Sequence, residues 1–110
     1  MHHPLDILLA DEINTARDVL LTQYPGKVID FREIYLQEPP KVELKEFLSL
    51  EHSGRLSPTS PRPARLARCL FDVFGSKNVP ECHEALIDVV LRKRVKDEIV
   101  GSKHHANLIL

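Results

Sequence analysis

The chain has 110 residues, 43% apolar and 28% charged, which is one domain with enough apolar material for a single core. A net charge of −1 lacks the basic excess expected of a nucleic-acid binder or of a protein held on an acidic membrane. Two cysteines, Cys69 and Cys82, are too few for a disulfide framework, and no CxxC pair occurs.

No apolar run is long enough to span a bilayer. LDILLA is too short for a secretory leader, and Asp11 and Glu12 follow it, so the expected location is cytoplasmic. Asp11 or the residue before it is placed to cap a first helix, in which Ile13, Ala16, Val19 and Leu20 follow helical spacing. Pro25-Gly26 ends it. KVIDFREIYLQ reads as a strand, with a bulge expected near Ile34-Tyr35 where its alternation fails. Pro39-Pro40 stops that strand. VELKEFLSLEHSG then reads as a second helix, with Val42, Leu44, Phe47, Leu48 and Leu50 as its apolar face and Gly54 as its stop.

RLSPTSPRP is an extended connection. After it, ARLARCLFDVF puts Ala67, Cys69, Phe71 and Val73 on one face. ECHEALIDVVL puts Ala85, Ile87, Val89 and Leu91 on one face, with Glu84, Leu86 and Asp88 opposite. RKRVKDEIVG carries Val95 and Ile99 at even spacing, and SKNVP is a turn. Short connections imply an antiparallel meander, so the pattern predicts one α+β domain over residues 1–110, with helices packed on one face of a four-stranded antiparallel sheet.

The chemistry-bearing side chains form no established motif: no phosphate loop, GxSxG or HExxH is present. His104 and His105 are adjacent, so on a strand they point to opposite faces and cannot share one metal. His2-His3 sits at a terminus. No metal site and no cofactor is therefore expected. Asp30, Glu33, Asp72, Asp88 and Asp97 are strand carboxylates. Asp72 and Asp88 stand out because they are embedded among apolar residues, where desolvation raises a carboxyl pKa. The alternative for both is a solvent face with Arg32, Arg65, Arg68 or Arg92 as partners.

HPLDILLADEI resembles the opening of copper amine oxidases. PGKVIDFREIYLQEPPK and the stretch from PRPARLARCLFDVF to KHHANLIL resemble the rest of the family's first small domain, N2, in its fungal form. The resemblance is continuous and in register over residues 3–110. It implies a cystatin-like α+β fold. It also implies that KHHANLIL is an exit toward a further domain, and that the copper ligands and the tyrosine that becomes topaquinone belong to a separate catalytic domain. Tyr24 and Tyr35, in QYP and IYL, do not match that tyrosine's context.

Two functions follow as expectations. The first is a non-oxidase interaction or dimerisation module, with a homodimer or protein partner on a sheet face that the family's other domains would cover. The second is a small-molecule enzyme recruited from the fold, a cofactor-free cyclase or isomerase of fungal secondary metabolism. It would use a pocket between helix and sheet. Its candidate catalytic residues are Asp72, His83, Asp88 and His105, with Arg68 to polarise a carbonyl.

Overall fold

The structure, a computed structural model, describes residues 3–75 and 79–100. His105, a candidate site residue, His104 and most of the SKNVP turn lie outside these. The elements run α1 (Ala10–Gln23), β1 (Val28–Gln37), α2 (Lys41–His52), β2 (Leu66–Phe74), β3 (Glu81–Asp88) and β4 (Lys93–Ile99). The strands form one antiparallel sheet in the order β1-β2-β3-β4. This is the expected α+β meander.

Helix α1 starts one residue earlier than the sequence implies. Leu9 is its N-cap, and the Glu12 carboxylate reaches back to accept from the Leu9 N–H at 2.9 Å. That bond satisfies one of the free donors of the first turn without a polar cap residue. Asp11 therefore lies inside the first turn, where the helix dipole favours it. Glu12 is fixed in turn by Arg65, which is buried. Its guanidinium donates to Glu12, to Ile7 O at 2.8 Å and to His3 O at 3.2 Å. One arginine before β2 thus pins the N-terminal segment and α1 to the sheet.

Ala16, Val19 and Leu20 of α1 meet Ala67, Cys69, Phe71 and Val73 of β2, Ala85 and Ile87 of β3, and Val89 just after it in one core. Burying a large apolar side chain of this kind is worth about 1.5–3 kcal/mol. On β1 the core-facing residues are Ile29, Phe31, Ile34 and Leu36. Residues 31 and 34 are an odd number apart, so strict alternation cannot turn both inward. The extra residue is Arg32, where the register shifts between Phe31 and Glu33. The bulge therefore lies at Arg32 and not at Ile34-Tyr35, because the switch of parity must fall before Ile34.

The strand expected to run to Leu91 stops at Asp88. Its Oδ1 accepts from Val90 N at 3.0 Å and Leu91 N at 2.8 Å, which starts a turn. Leu91 is then 62% exposed instead of facing the core. On β4 a second register shift falls at Val95, so Asp97 and Ile99 pair with Ala85 and His83 while Val95 stands out of step.

Helix α2 joins the molecule through Phe47, only 2% exposed. His3 packs edge-on against that ring at 5.5 Å, and the Arg62 guanidinium lies over it at 5.0 Å. Val42, expected on the same face, is exposed. At about 100° per residue, Val42 and Leu44 are about 200° apart and cannot share a stripe.

Candidate functional site

His83 is the candidate residue that the fold places in a developed polar setting. It sits on the α1 side of β3, 5% exposed, stacked on Phe71 with centroids 5.3 Å apart. Its Nδ1 lies 2.7 Å from Asp97 Oδ1 on β4, so a proton on Nδ1 is donated to that carboxylate. Tyr24, the residue that ends α1, donates its hydroxyl to Asp97 Oδ2 and approaches His83 Nδ1 at 3.2 Å. Arg94 donates to the same Oδ2 at 3.2 Å. Burial first, and then the adjacent Asp97, push the Tyr24 hydroxyl well above its ordinary pKa. The opposite ring nitrogen, Nε2, is buried without a hydrogen bond and faces Glu81 Oε1 at 3.5 Å.

A histidine oriented by a carboxylate is the arrangement of a general base. Here the oriented nitrogen is consumed by Asp97 and Tyr24, and the other is enclosed. The network's evident work is to tie the end of α1 to β3 and β4. By sequence Asp97 is one of several strand carboxylates and Tyr24 a mismatch to the family's cofactor tyrosine, and neither is a site candidate. The β3–β4 register, which places Asp97 beside Ala85, reveals Asp97 as a partner of His83, and the packing of the end of α1 on the sheet brings in Tyr24.

The other candidates lie elsewhere. Asp72 and Arg68 are on the outer face of β2, away from α1. Asp72 is buried and accepts from Arg32 Nε at 2.8 Å, while its other oxygen is buried without a partner. Facing it across the ladder is Cys82, whose thiol pKa is raised by burial first and by Asp72 second. Arg68 is held by Glu84 and, at 2.9 Å, by Gln37. Asp88 serves the β3–β4 turn. Asp72 thus has an arginine partner on the outer face but is buried rather than solvated, and the candidates do not converge on one point. Cys69 faces the core, where burial pushes its thiol up to about 12. It and Cys82 are free thiols on opposite faces of the sheet.

Copper, which the family resemblance implies for a separate catalytic domain, finds no fitting donor set among the described residues. No three His, Cys, Asp or Glu among the described residues could hold a metal ion together. An open groove of about 440 Å³ runs along the seam of α1 and β1, lined by Ile13, Arg17, Phe31 and Glu33 among others. This helix–sheet groove is lined by none of the candidate residues. A larger cavity of about 670 Å³ lies at a corner near α2 and the β3–β4 turn. No helix among the described residues is long and apolar enough to cross a membrane.

No protein-family model matches the chain. Copper amine oxidase 1 of Aspergillus niger is 60% identical to it over 108 residues, covering 98% of this chain and 16% of that protein. Copper amine oxidase 1 of Schizosaccharomyces pombe is 31% identical over 101 residues, covering 92% of this chain and 12% of that protein. The chain therefore spans less than a fifth of the length of the curated relatives it matches. Over nearly all its length, it is homologous to the N-terminal region of a fungal copper amine oxidase.

Proposed function

We propose that the chain is an N2-type, non-catalytic interaction module, and that it docks through the outer face of its sheet onto the remainder of a copper amine oxidase. The observation that carries this is the make-up of that face. No described helix packs on it, since α1 lies against the opposite side. Its two central strands present Leu66, Leu70 and Leu86, half-buried and uncovered, with exposed Phe74, Tyr35 and Val28 alongside. The edge strands surround them with Asp30, Glu33, Lys93, Lys96 and Glu98. Uncovered leucines and aromatics interleaved with internally paired charges, here Arg68 with Glu84 and Asp72 with Arg32, make the mixed kind of face that non-obligate protein interfaces use. The relatives carry most of their length beyond the matched region, and that further chain is the occupant proposed for this face.

The non-catalytic half of the proposal is tested by incubating the purified protein with copper and a primary amine and following peroxide release. No turnover is expected, and steady release would overturn it. A second reading, a recruited cyclase or isomerase, draws on the part-buried His83–Asp97–Tyr24 set as an acid–base unit. Loss of a metabolite on deleting the gene, restored by the wild type but not by His83→Gln, would favour it.

A further inference from the structure

The 670 Å³ corner cavity has a size common to sites for small ligands. Its walls are mostly apolar: Pro4 from the N-terminal segment, Pro63 from the proline-rich connection, and Val90 and Leu91 from the β3–β4 turn. Val90 is 71% exposed, so this surface is open to a ligand.

Two of its charged groups are already engaged. Arg65 is taken by Glu12 and two carbonyls, and Asp88 by the turn amides. Arg62 is different. Its guanidinium is held over the Phe47 ring, its Nε is buried without a hydrogen-bond partner, and it makes no ion pair among the described residues. Glu43 and Glu46 of α2 border the same corner and an adjoining cleft. Both are exposed, and neither pairs with it. A buried N–H left unpaired is costly. A carboxylate matches the guanidinium fork, taking two parallel hydrogen bonds.

We propose that this corner binds a small apolar monocarboxylic acid, its carboxylate on Arg62 and its hydrocarbon body against Pro4, Pro63, Val90 and Leu91. Glu43 at the mouth disfavours a second negative charge, so a monocarboxylate binds better than a dicarboxylate of the same length. The site adjoins one end of the outer-face docking surface, where Asp88 lines it beside Leu66, but Arg62 and Leu91 lie off the rows formed by Leu70 and Leu86.

The test is titration of the whole chain with sodium octanoate below its micelle concentration, followed by amide chemical shifts. Octanol and suberate serve as comparison ligands. Saturable shifts at Arg62, Ala64, Val90 and Leu91 are expected, with affinity in the millimolar range or tighter, and weaker binding of octanol and suberate. Arg62→Gln should weaken octanoate binding about tenfold or more, the value of a lost charge-assisted pair. Because Arg62 also supports Phe47, Leu91→Glu is a second variant. It adds a negative charge to the wall without touching α2, and it should weaken binding comparably. Equal binding of octanol, unchanged affinity in either variant, absence of saturation, or shifts centred on Leu70 and Leu86 would each overturn the proposal.

Discussion

Tyr24 closes α1 and also closes the His83–Asp97 pair, so one hydroxyl links a helix to two strands. Its ionisation is pushed upward by burial and by Asp97. The folded state therefore holds this proton more tightly than the unfolded chain, where a tyrosine ionises at its ordinary value of about 10. The stabilisation is complete below pH about 10 and is lost as pH rises from there toward the folded value. Tyr24→Phe removes the linkage. Denaturant melts across the alkaline range should show a shallower fall of stability in the variant than in the wild type. At neutral pH the variant should be less stable by about 1 kcal/mol, the net worth of one hydrogen bond. A parallel alkaline fall in both proteins would show that the hydroxyl is not held as described. His83 was legible in the sequence as a candidate, but its partners were not. Asp97 becomes a neighbour only through a register that depends on a bulge at Val95, and nothing in the local spacing of RKRVKDEI marks that bulge.

At the scale of elements, the turn between β3 and β4 and the docking of α2 are the two places where the fold departs from simple periodicity. Arg92 ends the turn with φ of 57°, a left-handed conformation that strains a residue with a Cβ. Arg92→Gly relieves that strain and should raise stability by about 0.5–1 kcal/mol, after the entropy glycine adds to the unfolded chain. Thermal melts check it, and a lower melting temperature would contradict it. Helix α2 hangs on Phe47, which lies outside the main core cluster. Phe71→Ala, in the centre of that cluster, should cost about 3–5 kcal/mol globally. Phe47→Ala should instead release amide protection in α2 while β2 and β3 keep theirs, a difference read by hydrogen exchange. Uniform loss of protection in Phe47→Ala would show that α2 is integral to the core. The six elements and the antiparallel meander were readable, because the alternation in ARLARCLFDVF and the breakers Pro25-Gly26 and Pro39-Pro40 act locally. The bulge at Arg32 was also encoded, in the odd spacing of Phe31 and Ile34. The weak attachment of α2 was not, because five apolar residues within one helix do not reveal which of them finds a partner.

At the scale of the molecule, α1 covers one face of the sheet and, among the described residues, no helix covers the other. Residue spacing gives the two faces. The open face takes its meaning from the comparison with relatives that carry several times more chain than this one. The scattered positions of Asp72, Arg68, Asp88 and His83, each held by its own partners, fit a scaffold that presents a surface better than a centre that gathers groups on a substrate. The central claim is that this surface docks on the rest of an oxidase. Its most direct test is sedimentation velocity of the chain mixed with Aspergillus niger copper amine oxidase 1 trimmed of the matching N-terminal region, whose fold is first verified by circular dichroism. The account predicts one chain bound per trimmed subunit, and loss of that complex in Leu86→Glu, which places a charge in the middle of the face and leaves the chain's own circular dichroism unchanged. Independent sedimentation of the two folded proteins, or a complex that Leu86→Glu leaves intact, would contradict it.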